Sequence, residues 1–86
     1  MIQYHRHFKK AFKKLDKKVQ ANFFKRLELF LEEPFHPLLN HHALAGDWQP
    51  LRSINVTGDY RAIFQYEGEV IIFRDIGTHS QFYGWN

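Results

Sequence analysis

Two histidines and two arginines stand at places in this chain where they could move protons and bind phosphate. His79 lies in Gly77-Thr78-His79, at the end of an apolar run and just ahead of the aromatics Phe82, Tyr83 and Trp85. His42 precedes a Gly46-Asp47-Trp48 turn, and Asp59-Tyr60-Arg61 opens a second apolar run. Arg52 falls in the run before that one. An imidazole titrates near neutrality, so it serves as general acid or base. A guanidinium grips phosphate through two parallel hydrogen bonds and offsets charge that builds on phosphorus. Bases of a single strand stack on rings such as Tyr60, Phe82 and Tyr83, each for about 1–3 kcal/mol. Imidazoles, a carboxylate and guanidiniums on a small basic scaffold are the groups that metal-free RNA cleavage uses.

Each residue also has a plainer reading. His79 by spacing alone is an exposed loop histidine. Asp59 is a common turn residue. Arg52 and Arg61, on neighbouring expected strands, could pair with Asp59 or Asp75. The aromatics could be core or partner-facing packing, and Trp48 beside its turn is expected to pin a loop. His41 and His42 are adjacent, so an extended backbone points them to opposite faces and at most one of them joins His79. His5 and His7 would share a face of a strand, but no third ligand or His-Glu-x-x-His pattern accompanies them. No metal site and no cofactor are expected.

These groups need elements to hold them. Ile2-Gln3-Tyr4 alternates like a short strand. Phe8, Phe12 and Leu15 recur at helical spacing with lysines between them. Asp16 offers an N-cap to a second helix carrying Val19, Phe23, Leu27, Phe30 and Leu31 on one stripe. Glu33-Pro34 ends that helix, because a residue before proline avoids the α region. Strands are expected at 51–56, 60–66 and 70–76, separated by the short turns Thr57-Gly58-Asp59 and Glu67-Gly68-Glu69. Consecutive strands with short turns imply an antiparallel meander. The expected fold is α+β, with an αα-hairpin packed on one face of a small antiparallel sheet.

Composition narrows the class. Eighty-six residues allow one domain, taken here as 1–86, with a single core. Fifteen aromatic residues supply the large buried area so short a chain needs. There is no cysteine, which excludes disulfides and thiolate zinc sites and fits a reducing cytoplasm. No apolar run reaches the roughly 20 residues of a membrane span, and Met1-Ile-Gln-Tyr-His is no secretory leader. A cytoplasmic location without membrane association is expected. Residues 1–33 hold nine Lys/Arg against four acids, a net of +5, whereas residues 34–86 carry −2. Such a face attracts nucleic acid or an acidic peptide, or is simply a solvated helix surface.

Four segments together resemble the RelE/ParE toxin superfamily, and within it the YafQ-like branch of type II toxin–antitoxin systems. They are Leu39-Asn40-His41-His42-Ala43-Leu44-Ala45-Gly46-Asp47-Trp48, Leu51-Arg52-Ser53-Ile54, Gly58-Asp59-Tyr60-Arg61-Ala62-Ile63-Phe64, and Gly77-Thr78-His79-Ser80-Gln81-Phe82-Tyr83-Gly84. The resemblance covers nearly the whole chain. It implies two N-terminal helices on a twisted antiparallel sheet. It further implies a ribosome-dependent endonuclease acting on A-site mRNA, silenced by a cognate antitoxin whose complex with the toxin binds operator DNA. It assigns catalytic work to His42, Asp59, His79 and Tyr83. Two departures stand out. Asn55 occupies the place of a second family histidine and cannot act as acid or base. Tyr60 replaces the usual Trp, and Gly-Asp-Tyr-Arg is closer to the RelE branch, which makes Arg61 the candidate for part of the missing histidine's role. Arg52, Asn55, Tyr60 and Phe82 are the expected substrate contacts.

The expected reaction is transesterification. His42 or Asp59 deprotonates the ribose 2′-OH, the arginines steady the phosphate, and His79 protonates the leaving oxygen. Two rival readings use the same fold. One is a catalytically inactive relative acting as antitoxin or operator-binding partner, favoured by Asn55. The other is a ParE-like gyrase inhibitor, which has no use for His42, Asp59 and His79 together.

Overall fold

The computed structural model describes residues 1–82. It is an α+β fold with two helices and a five-stranded mixed sheet. Strand β1 (Ile2–Tyr4) leads into helices α1 (Arg6–Lys13) and α2 (Lys17–Glu32). Strands β2 (His42–Ala43), β3 (Arg52–Asn55), β4 (Tyr60–Glu67) and β5 (Val70–Thr78) follow. Short 3-10 turns at Pro37–Leu39, Gly46–Trp48 and Ser80–Phe82 complete it.

The helices begin at side-chain caps. His5 Nδ1 accepts the His7 N–H at 3.1 Å, and Asp16 accepts the Lys18 N–H at 2.7 Å. Each bond satisfies one of the donors that a first turn leaves free. The first helix is shorter than its apolar spacing predicts. Leu15 falls in the join, half-buried, because Asp16 restarts the chain as a new N-terminus. Leu31, expected on the α2 stripe, is 54% exposed. Phe23, Leu27 and Phe30 already fill the buried face, with the Phe30 ring 5.0 Å from that of Phe64.

The sheet order is β1-β5-β4-β3-β2. The antiparallel meander predicted from the turns is present as β3-β4-β5, but the whole sheet is not antiparallel. β1 runs parallel to β5 along the edge, pairing Ile2 with Ile71 and Tyr4 with Phe73. The long connection between them, through both helices and strands β2 to β4, can return the chain in that direction, which a hairpin cannot. β2 adds a two-residue strand beside β3, pairing His42 with Ser53.

The core lies on one face of the sheet. Ile54, Ala62, Phe64, Phe73 and Ile76 meet Phe8, Phe23, Leu27 and Phe30 of the helices. Phe23 and Phe73 touch edge to face at 5.1 Å, and Phe8 sits 5.7 Å from Phe73. Such pairs add about 0.5–1.5 kcal/mol each beyond their buried area. The other face mixes polar side chains with the buried Ile63.

One irregularity decides what that face carries. Ile63 pairs with Asp75 but Phe64 pairs with Phe73, so Arg74 is an extra residue, a β-bulge in β5. An unbroken strand would alternate Phe73, Asp75 and Gly77 on the core face. The bulge shifts the phase, putting Ile76 in the core opposite Ala62 and Gly77 opposite Arg61.

Candidate functional site

Directly paired residues of an antiparallel sheet share a face. The pairs His42–Ser53, Ser53–Ile63, Asn55–Arg61 and Arg61–Gly77 therefore bring three strands' side chains to the face away from the helices. There a small pocket is lined by His42, Leu44, Ser53, Arg61, Ile63, His79 and Phe82.

Arg61 is the hub. One guanidinium nitrogen donates to Asn55 Oδ1, and Nε donates to His79 Nδ1 at 3.1 Å. His79 is further fixed by its backbone N–H, which donates to the Asp59 carbonyl at 2.9 Å. The turn after it folds back because Gly77 has no side chain. A Cβ at Gly77 would lie 2.5 Å from Gln81 Oε1 and 3.3 Å from Phe82 Cζ. Gln81 Oε1 accepts the Thr78 N–H at 2.7 Å, which closes the turn over the strand end.

His42 is held differently. Its Nδ1 lies 2.8 Å from the Asn40 carbonyl. Asn40 adopts the left-handed conformation with φ 44°, which asparagine tolerates better than most residues. A carbonyl only accepts, so Nδ1 of His42 carries a proton, and in the neutral ring Nε2 is the bare nitrogen. A guanidinium only donates, so Nδ1 of His79 is bare and its Nε2 carries the proton. Two imidazoles on one pocket are thus anchored in opposite tautomers.

A larger groove, of about 560 Å³, adjoins this pocket through Phe82. It is lined by Lys10 of α1, Lys14 at the C-cap of that helix, His7 paired with Asp75 at 3.2 Å, and Tyr60.

The model of the family described as bacterial toxin of type II toxin–antitoxin system, YafQ, matches residues 1–84. The chain belongs to the YafQ toxin family. YafQ from E. coli strain BL21(DE3) shares 25% identity over 98% of both chains, with a TM-score of 0.78. The toxin in the E. coli DinJ-YafQ toxin–antitoxin complex shares 26% over 98% of this chain and 97% of that one, with a TM-score of 0.77. The YoeB/ParE toxin from Agrobacterium tumefaciens is 14% identical over 91% and 96% of the two chains, and its TM-score of 0.74 shows a common fold alone. No curated protein sequence matches this chain.

Within this YafQ-family toxin, the sequence-predicted residues fall into three groups. His42, Asn55, Arg61, His79 and Phe82 come together at the pocket and its rim. Asp59, Tyr60 and Arg52 do not join them. Asp59 is exposed in the turn before β4 and outside the pocket lining. Tyr60 faces the core side and the groove. Arg52 pairs with Phe64 on the helix side, where its Nε donates to His41 Nε2 at 2.7 Å. Tyr83 and Trp85 lie outside the described residues.

His41 and His42 do diverge. His41 stacks on Phe35 at 4.3 Å and donates through Nδ1 to the Pro34 carbonyl at 2.9 Å. Burial lowers its pKa from the ordinary value, against the pull of the Pro34 bond, while nearby Arg52 and His42 lower it further. Among the described residues, no three His, Asp or Glu side chains group closely enough to hold a metal, and His7 is paired with Asp75 instead. No helix among them is long and apolar enough to cross a membrane.

Sequence reasoning missed Asn40 and Ser53. A signal existed for each. Asparagine is a frequent left-handed residue ahead of a turn. Ser53 alternates with Arg52 and Ile54, which places it on Asn55's face.

Proposed function

We infer that this YafQ-family toxin is an endoribonuclease that cleaves mRNA by metal-free acid–base transesterification. The observation that carries this reading is the pair of imidazoles held in opposite tautomers on one pocket, with a guanidinium between them.

His42 Nε2, bare of hydrogen, takes the proton of a ribose 2′-OH. The 2′-oxygen forms a bond to the adjacent phosphorus as the bond from phosphorus to the 5′-oxygen breaks. The products are a 2′,3′-cyclic phosphate and a 5′-hydroxyl. His79 supplies the proton to that 5′-oxygen from Nε2. To act as an acid its ring carries a second proton at Nδ1, which displaces Arg61 Nε. The freed N–H then turns to the phosphate, where charge is building. Asn55, which cannot titrate, keeps hold of the other arm of the guanidinium. Asp59 is exposed and lies off the pocket, which favours His42 as the base.

Family membership supports the setting of the reaction: A-site mRNA on the ribosome as substrate, in the cytoplasm. The DinJ-YafQ complex supports a cognate antitoxin as partner, and the toxin–antitoxin pair would bind its operator DNA. Tyr83, beyond the described residues, is a further candidate for catalytic work.

The test is primer extension on mRNA in a purified translation reaction, with and without ribosomes. Ribosome-dependent cuts are expected. Replacing His42 or His79 by Ala should slow cleavage by about 10²–10⁴-fold each. Full cleavage by His79→Ala would remove it from the mechanism. A folded wild-type protein that makes no cuts would move the reading to an inactive relative or a gyrase-directed one.

A further inference from the structure

Ser53 is 1% exposed, and its hydroxyl has no hydrogen-bond partner among the described residues. A buried hydroxyl left unpaired is a standing cost to the fold, so its place matters. It lines the His42–Arg61–His79 pocket, on the strand residue paired with His42. Nothing in the acid–base scheme above uses it.

We propose that Ser53 Oγ is a phosphate contact, donating to a non-bridging oxygen of a phosphoryl group seated between His42, Arg61 and His79. Three features point to that ligand. The lining holds two imidazoles and a guanidinium but no carboxylate, so it favours an anion. The cavity is about 60 Å³, far below the roughly 300 Å³ of pockets that enclose whole small molecules. That is room for phosphoryl oxygens and excludes a base or sugar. The apolar walls of Leu44, Ile63 and Phe82 keep water from competing, which strengthens a hydrogen bond to a charged oxygen. Ser53 would hold the phosphate still while His42 and His79 exchange protons across it. The inference deepens the endonuclease reading, but the phosphate site itself can be tested without cleavage.

Inorganic phosphate is titrated into the wild type, Ser53→Ala and Ser53→Cys, followed by amide and imidazole NMR shifts. Cysteine keeps the unbranched shape of serine, is somewhat larger, and is a poor donor. In the wild type, phosphate should shift Ser53, His42 and His79 together. Both variants should bind about tenfold more weakly or worse. Neither should melt lower than the wild type, because the lost hydroxyl had no partner in the fold. Equal phosphate affinity in wild type and Ser53→Ala, or shifts confined to Lys10 and Lys14, would overturn the proposal. Cleavage is read alongside, and Ser53→Ala should lower kcat. If the wild type binds phosphate through Ser53 yet cuts no mRNA, the endonuclease reading fails and the phosphate site stands.

Discussion

At the scale of single residues, the two neighbouring histidines show how one peptide step separates roles. His42 faces the pocket with a free nitrogen, whereas both ring nitrogens of His41 are engaged, one by the Pro34 carbonyl and one by Arg52. His41 can accept from Arg52 only while neutral. Burial depresses its folded pKa below the usual 6.5. The neutral ring's contribution is therefore complete above the unfolded value and is lost as pH falls from there through the folded one. The denaturant midpoint should drop between pH 7.5 and pH 5, and the drop should shrink in His41→Phe, which keeps a ring on Phe35 but does not titrate. A drop of the same size in the variant would clear His41 of the effect. The divergence of the two rings was legible from extended geometry. So was the convergence of His42, Arg61 and His79, since all three flank strand ends. Arg52 was not placed correctly by strand neighbourhood alone. It and Arg61 lie on adjacent strands, yet pairing Arg52 with Phe64 sends it to the helix side. That register depends on how the 56–59 turn closes.

At the scale of elements, strand periods and helix caps were readable, and pairing partners were not. The Asp16 cap and the three meander strands follow from local chemistry. β1 and β2 are three and two residues long, too short for any period to announce which strand they join. Nor does the run of apolar residues in β5 reveal its bulge, on which the site depends for Gly77 and His79. Gly77 is the position where this can be probed. Its missing Cβ leaves space for Gln81 and Phe82, and Gln81 is flexible enough to yield. Gly77→Ala should then break the Thr78–Gln81 bond at a cost of about 1 kcal/mol. Cleavage should suffer more, by about tenfold or beyond, because His79 sits inside that turn and a small misplacement of a catalytic group is expensive. Thermal melting and primer extension on the same sample separate the two effects. Unchanged cleavage would mean that the turn does not position His79.

At the scale of the whole molecule, a chain of 86 residues has committed one sheet face to its core and carries the His42–Arg61–His79 pocket on the other. The aromatic network of Tyr4, Phe8, Phe12, Phe23 and Phe73 makes this affordable by concentrating apolar area between the helices and β5. The charge follows the same division. The net +5 of residues 1–33 rides largely on the helices, and two of its lysines, Lys10 and Lys14, line the groove that meets the pocket at Phe82. A single strand leaving the pocket past Phe82 and Tyr60 would run beneath them. Lysines on a strand's phosphates act through counterion release, with a slope of about −0.7 in log affinity against log salt per contact. Lys10→Gln with Lys14→Gln should therefore weaken binding of a non-cleavable 2′-deoxy oligonucleotide and flatten its salt slope by about 1.4. At saturating RNA the cleavage rate should hold, since neither lysine reaches the pocket. A salt slope identical to the wild type's would place the strand elsewhere and leave these lysines to another charged surface.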